Sequence, residues 1–208
     1  MTDAQTQKLL TTITQSVDKC TKCRLHKWRT RSVPGAGSPT ATIVFVGEAP
    51  GFNEDEQGLP FVGRAGQLLS QLLAENKIPR QSVWIGNIIK CRPPENRDPM
   101  VDEIRACSPY LEKQIETINP KIIVTLGRFA MAHFIKEGSI SENHGKVFRV
   151  KSRLVLPLYH PAAALRNTNV LEILRKDFTM IGKVTRGEAE IVELKKDKAG
   201  DDNQIPLI

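Results

Sequence analysis

At 208 residues the chain is long enough to bury a full core and sits near the size of one domain. Hydrophobic residues make up 40% of it; no run approaches the roughly 18 apolar residues of a membrane span, and the opening MTDAQTQKLL lacks the basic start and apolar stretch of a signal peptide, so the expectation is a cytoplasmic protein with no membrane contact. A net charge of +7 and a pI near 9.3 favour a polyanionic partner, and because the residues from Thr185 onward carry more acid than base, the basic excess lies in the body of the chain.

In chain order, Thr6 to Lys19 reads as a short amphipathic helix with Leu9, Leu10, Ile13 and Val17 on one face, leading into Cys20-x-x-Cys23. A Pro- and Gly-rich loop, Val33 to Pro39, precedes Thr42 to Val46, a β-branched apolar run that reads as a buried strand and ends in the turn Gly47-Glu48-Ala49-Pro50-Gly51. Ala65 to Asn76, with Leu68, Leu69, Leu72 and Leu73, has a helical pattern and is followed by a strand at Val83 to Ile88. Helix Asp102 to Ile118, strand Ile122 to Leu126, helix Arg128 to Glu137 and strand Leu154 to Leu158 continue the alternation. A last helix, Val170 to Val184, closes a domain of residues 1–184 and leaves a charged tail over residues 185–208. Such alternation predicts an α/β fold, a mainly parallel sheet covered by helices on both faces, with functional loops at the carboxyl ends of the strands.

All four cysteines fit one pattern, Cys20-x2-Cys23 followed by Cys91 and Cys107. In an intracellular setting four thiolates from three segments suit a zinc ion or an iron-sulfur cluster better than structural disulfides. Spacing alone leaves zinc and iron both open, beside the plain alternative of four unrelated buried cysteines. Neither Gly35-Ala-Gly37 nor Gly63-Arg-Ala-Gly66 has the spacing or the strand-turn-helix setting of a dinucleotide site, so the sequence shows no flavin or nicotinamide fingerprint.

Four further motifs carry a resemblance: Gly47-Glu-Ala-Pro-Gly51, Leu59-Pro-Phe-Val-Gly-Arg-Ala-Gly66, Gly86-Asn-Ile-Ile-Lys-Cys-Arg-Pro-Pro94 and His160-Pro-Ala-Ala-Ala-Leu-Arg166. In this order, and with the four cysteines, the stretch from Cys20 to Val184 resembles the iron-sulfur, family 4 uracil-DNA glycosylases. That resemblance implies a three-layer α/β/α sandwich around a four-stranded, mainly parallel sheet, and a [4Fe-4S] cluster on Cys20, Cys23, Cys91 and Cys107. It further implies a monofunctional enzyme that flips uracil out of DNA and excises it hydrolytically, leaving an abasic site for base excision repair.

The chemistry asks for a donor at the uracil oxygens, a polar clamp, a stacking surface and a placed water, because N-glycosidic cleavage leaves positive character on the sugar and a uracil anion. His160 follows the strand ending at Leu158, and the matching family histidine donates to uracil O2. Asn87, at the end of the second strand, offers an amide donor and acceptor that match the O4 and N3–H edge of uracil. Phe61 resembles the family residue that stacks on the flipped base, while Gly47 and Ala49 lie in the turn where the backbone approaches the substrate. Glu48 is the carboxylate expected to orient or activate the attacking water and to favour the cationic sugar; related families carry another residue there. Glu54, Asp55 and Glu56 read as solvated charges. For DNA, Leu165 or Arg166 is placed to fill the gap left by the flipped base, and Arg64, Lys90, Arg92 and Arg166 flank the motifs as phosphate contacts.

Three other readings are weighed. A covalently trapping relative uses a histidine in an arginine-rich insert; here Glu142-Asn-His144-Gly-Lys146 supplies the histidine without the arginines. A non-catalytic uracil-DNA-binding protein would be expected to have lost at least one of Glu48, Phe61, Asn87 and His160, and an iron-sulfur electron carrier lacks a site for a partner cofactor. Gln204-Ile-Pro-Leu-Ile208 resembles short peptides that dock on bacterial sliding clamps, apart from its terminal isoleucine. The expected state is a monomer bound to uracil-containing DNA.

Overall fold

A computed structural model describes residues 2–194; the clamp-like Gln204 to Ile208 lies outside the described residues. Helix α1 (Asp3–Asp18) starts three residues earlier than the apolar pattern indicates, because Thr2 and Gln5 form a reciprocal capping box. Strand β1 (Ala36–Gly37) lies inside the expected loop, and β2 (Ile43–Gly47) carries the first long apolar run. Helices α2 (Phe52–Gln57) and α3 (Arg64–Glu75) lead to β3 (Trp84–Asn87), then α4 (Val101–Ile118) and β4 (Ile122–Leu126). Helices α5 (Arg128–Phe134) and α6 (Ile140–Asn143) precede the hairpin of β5 (Val147–Val150) and β6 (Arg153–Leu158). The chain closes with α7 (Pro161–Ala164), α8 (Thr168–Phe178), α9 (Met180–Arg186) and β7 (Ile191–Glu193).

Among the described residues the sheet has seven strands in the order β1-β3-β2-β4-β6-β5-β7. Its centre is the expected parallel set β3-β2-β4-β6. The count of four missed the flanks: β1 runs antiparallel to β3, β5 antiparallel to β6, and β7 parallel to β5. These flanking strands are two to four residues long, too short to show a period in sequence.

Every residue of β2, β3 and β4 is buried, as a parallel sheet covered on both faces requires. Alternation splits them: Val44, Val46 and Trp84 join Leu111 and Ile115 of α4 and Val17 of α1 on one face, whereas Ile43, Phe45 and Ile85 meet Leu69 and Leu72 of α3 and Phe178 of α8 on the other. The result is three layers. Two expected helices are shorter than their patterns. α5 stops at Phe134 because Ile135 turns extended and is 1% exposed, drawn into the core. The last helix is two, since the N–H and hydroxyl of Thr179 both donate to the Lys176 carbonyl, three residues back, and interrupt the ladder. Ordered structure also continues past Val184, through α9 and β7. Among the described residues no helix is long and apolar enough to cross a membrane.

β2 lies between β3, which follows it, and β4, to which the chain crosses back. The order reverses there, and the loops beyond the carboxyl ends of these strands open a crevice.

Candidate active site

That crevice is a cleft of about 810 Å3 lined from all four central strands: Glu48 and Ala49 after β2, Asn87 ending β3, Arg128 after β4, and Tyr159 and His160 after β6. Phe61 and Arg166 complete the inner wall. Sequence-distant candidates therefore meet because each sits at the same end of a parallel strand.

Asn87 is 1% exposed, and among the described residues neither its amide nitrogen nor its amide oxygen has a hydrogen-bond partner. Buried amides are ordinarily satisfied, and an orphan is costly; this one faces a cleft able to hold a partner. Gly47 keeps that place open, since a Cβ there would stand 2.4 Å from Asn87 Oδ1 and 2.6 Å from the Phe61 ring.

Phe61 has φ 54°, left-handed for a bulky residue, and its ring centre lies 5.8 Å from that of His160. Two anchors the sequence reading missed hold the strained backbone. Arg80 donates to the carbonyls of Pro60 and Phe61, each at 3.0 Å, and to the Ser70 hydroxyl. Glu54, half-buried, accepts from the N–H groups of Gly51, Val62 and Gly63 at 2.8–3.1 Å. It is a structural clamp rather than a solvated charge, and Gly51-x-x-Glu54 is a capping pattern that would have revealed it. Asp55 is buried as well, accepting from the Thr30 N–H. No local signal pointed to Arg80.

His160 caps α7: its Nδ1 accepts the Ala162 N–H at 3.1 Å. The ring proton therefore resides on Nε2. Burial, and then the nearby Arg166 guanidinium, pull the imidazole down to about 4, with Glu54 acting the other way, so it is neutral at physiological pH. Burial, with Asp98 adding to it and Arg128 opposing, pushes the Glu48 carboxyl up to about 7. Arg128 and Asp98 pair with each other at the mouth of the cleft; Arg128 begins the helix after β4, where the strand-end rule would have located it.

The DNA-contact candidates divide. Arg64, Leu165 and Arg166 are exposed, and Arg166 lines the cleft. Arg92 is half-buried, bonded to Asn96 and stacked over the Phe52 ring. Lys90 is 1% exposed with its ammonium bonded inside the protein, so it is not a phosphate contact; residue type pointed outward and the core claimed it. His144 is held 2.7 Å from Asp177 behind the Tyr159 ring and is not among the residues lining the cleft.

Cys20, Cys23, Cys91 and Cys107 are all free thiols and line one small cavity between α1, the Cys91 loop and α4. Three sulfurs accept N–H donors: Cys20 from the Lys22 backbone, Cys91 from Arg29, and Cys107 from the Lys90 backbone. As the side chains stand, no three or more His, Cys, Asp or Glu among the described residues form a group that could hold a metal ion.

Residues 34–181 match the profile described as the uracil DNA glycosylase superfamily. Three curated relatives, each named type-4 uracil-DNA glycosylase, extend the match. The protein of Sulfurisphaera tokodaii is 52% identical over 81% of this chain and 81% of its own. That of Saccharolobus solfataricus is 49% identical over 81% and 83%, and that of Archaeoglobus fulgidus 47% identical over 83% and 91%. Identity at that level across most of both chains, on top of the profile match, establishes that this chain belongs to the uracil DNA glycosylase superfamily, in its type-4 branch.

Proposed function

We propose that this protein is a monofunctional uracil-DNA glycosylase that takes a flipped deoxyuridine into the cleft and hydrolyses its N-glycosidic bond, leaving an abasic site in DNA for repair. The observation that carries the reading is the orphan amide of Asn87, buried beside the Phe61 ring and sharing a cleft with a neutral, Nε2-protonated His160. An amide without protein partners is a poor core residue and a good reader of a base edge: its NH2 can donate to uracil O4 while its oxygen accepts N3–H.

The roles of the other groups follow from charge. As the bond breaks, negative charge collects on the uracil oxygens, and His160 Nε2–H donates to O2; a preorganised donor of this kind is worth about 3 to 4 kcal/mol in the transition state. Positive character develops on the sugar, and the Glu48 carboxylate offsets it while orienting the water that attacks C1′. With its carboxyl near 7, Glu48 is basic enough to polarise that water and is largely ionised slightly above neutrality. Phe61 supplies the stacking face. Leu165 fills the vacated space in the duplex, and Arg64, Arg92 and Arg166 meet phosphates.

The four cysteines fit a [4Fe-4S] cluster. Four unpaired thiols around a common cavity, three of them receiving N–H donors, suit one thiolate per iron. Cys20, Cys23, Cys91 and Cys107 would hold the cluster, which when bound supplies a cross-link between three segments rather than a step of the hydrolysis. His144 is engaged by Asp177, which favours hydrolysis over covalent trapping.

The test is incubation of anaerobically purified protein with an oligonucleotide carrying one labelled deoxyuridine, beside His160→Ala and Glu48→Gln. Free uracil and an alkali-labile site, both diminished in the variants, are expected. Tight binding without release would transfer the protein to the non-catalytic reading, and an adduct surviving denaturing gels to the trapping one.

A further inference from the structure

Lysine side chains are almost never fully buried without a partner of opposite charge, yet Lys90 is 1% exposed and, among the described residues, no carboxylate forms a salt bridge with it. Its ammonium donates to the main-chain carbonyl of Asn87 at 2.8 Å and lies 5.6 Å from the centre of the Trp84 ring. Gly86 gives that ring its place beside the ammonium, since a Cβ there would fall 2.5 Å from the Trp84 ring. At its other end, the Lys90 backbone N–H donates to Cys107 Sγ at 3.2 Å, and its carbonyl accepts from Val33 at 2.8 Å. Between these points, Ile88 and Ile89 donate to the carbonyls of Gly47 and Glu48. The segment from Asn87 to Cys91 thus runs from the base-reading amide, past the Glu48 turn, to the cysteine cage, and Lys90 is bonded to both of its ends.

Among the described residues the Asn87 side chain has no partner to orient it, so its direction is inherited from its backbone, which beyond the β2 ladder is held by the Lys90 ammonium. We propose that Lys90 is a positioning residue that couples the cysteine cage to uracil recognition: its backbone N–H is tied to Cys107 at the cage, while its side chain donates to the Asn87 carbonyl and fixes Asn87 for the base. This rests on the glycosylase reading and on the cluster assigned above.

The test is a double-mutant cycle on the cluster-loaded protein, with Lys90→Met, Asn87→Ala and the pair, read by single-turnover cleavage and by calorimetric affinity for free uracil. Iron and sulfide content and the thermal midpoint are followed in parallel. The expectation is that Lys90→Met keeps its iron and loses roughly 10- to 100-fold in both cleavage and uracil affinity, and that in the Asn87→Ala background the same change costs less than about twofold. Lys90→Gln keeps a shorter, neutral donor and should recover part of the loss; it replaces Lys90→Met in the cycle should the latter not fold. Equal penalties in both backgrounds would overturn the proposal. So would unchanged uracil affinity in an iron-loaded variant, or loss of iron in both substitutions, which would assign Lys90 to the cage alone. Wild-type protein that releases no uracil would instead overturn the functional reading, so the two failures are distinguishable.

Discussion

The backbone N–H of Ala162 lies 3.1 Å from Nδ1 of His160 and determines which imidazole nitrogen faces the cleft. An imidazolium carries a proton on both nitrogens and cannot accept that bond, so the contact and the low proton affinity of the ring, about 4, favour the same neutral tautomer. Nitrogen-15 NMR of the histidines should show His160 as Nε2-protonated and unchanged from pH 8 to pH 5.5. His160→Ala should lower single-turnover cleavage by about 100- to 1,000-fold while leaving DNA binding within a few fold. A His160 resonance titrating near its ordinary value would remove the basis of this assignment.

With the His160 imidazole drawn down to about 4, the proposed mechanism expects the acid limb of activity from Glu48. Its carboxyl stands at about 7, so kcat/KM should fall by about tenfold per pH unit below that value; Glu48→Gln should flatten the limb at a much lower rate. Stability moves oppositely. Between the ordinary value of 4.5 and about 7 the folded protein binds more protons at this site than the unfolded chain, so stability declines as pH rises through that window and stays lower above it. Glu48→Gln should therefore be more stable than the parent at pH 8, by about 1 to 2 kcal/mol after allowance for solvent screening, and little different at pH 4.5. Equal melting curves at pH 8 would refute the linkage.

Gly66 tests how Phe61, the proposed stacking residue, is held. A Cβ there would stand 1.9 Å from the Phe61 carbonyl oxygen and 2.0 Å from its carbonyl carbon. Neither is a flexible tip, so Gly66→Ala must shift the strained Phe61 backbone and disturb its bonds from Arg80. The expected result is a loss of cleavage at least equal to that of Phe61→Ala, itself about 1 to 3 kcal/mol from lost stacking. Circular dichroism should remain native. Full activity in Gly66→Ala would mean the loop relaxes without consequence.

The parallel core was legible because Thr42–Val46 and Ile122–Leu126 are continuous apolar runs, a signal that burial on both faces of a sheet imposes on a sequence. Glu48, Asn87 and His160 were legible for the same reason, each standing at the end of such a run. Arg80 was not: its three acceptors lie on Pro60, Phe61 and Ser70, and nothing local marks an arginine that will fold back on a distant loop. Lys90 was misread because residue type outweighs neighbourhood in a sequence, and only the fold shows Trp84 and the Asn87 carbonyl around its ammonium. β1 and β7 escaped because strands of two and three residues carry no period.

Cys107 sits on α4 and Cys91 on the loop before it, whereas Cys20 and Cys23 follow α1. On the proposed [4Fe-4S] assignment, Cys107→Ser, or removal of iron by a chelator under air, should loosen the N-terminal segment more than the sheet. Hydrogen exchange should accelerate over residues 3–30 first, with the β2 and β4 amides still protected, and iron content should drop from about four per chain. Uniform acceleration across the sheet would show that the cage supports the whole fold.

Leu165→Ala tests the proposed separation of flipping from chemistry. It is 40% exposed, just past α7, five residues beyond His160 and with its N–H anchored on the Pro161 carbonyl. A large apolar side chain is kept in water at a position that, with DNA bound, can fill the space left by an extruded base. Extrusion costs a few kcal/mol in a duplex and far less in a single strand. Leu165→Ala should therefore slow excision from a U·A pair by about 10- to 100-fold and from a U·G mismatch by less, while excision from single-stranded DNA changes by no more than about twofold. Melting temperature should be unaltered, because the side chain makes little contact with the core. An equal loss on single- and double-stranded substrates would place Leu165 in the uracil pocket rather than in the duplex, and Arg166, which donates to the Ala162 carbonyl and lines the cleft, would become the candidate wedge.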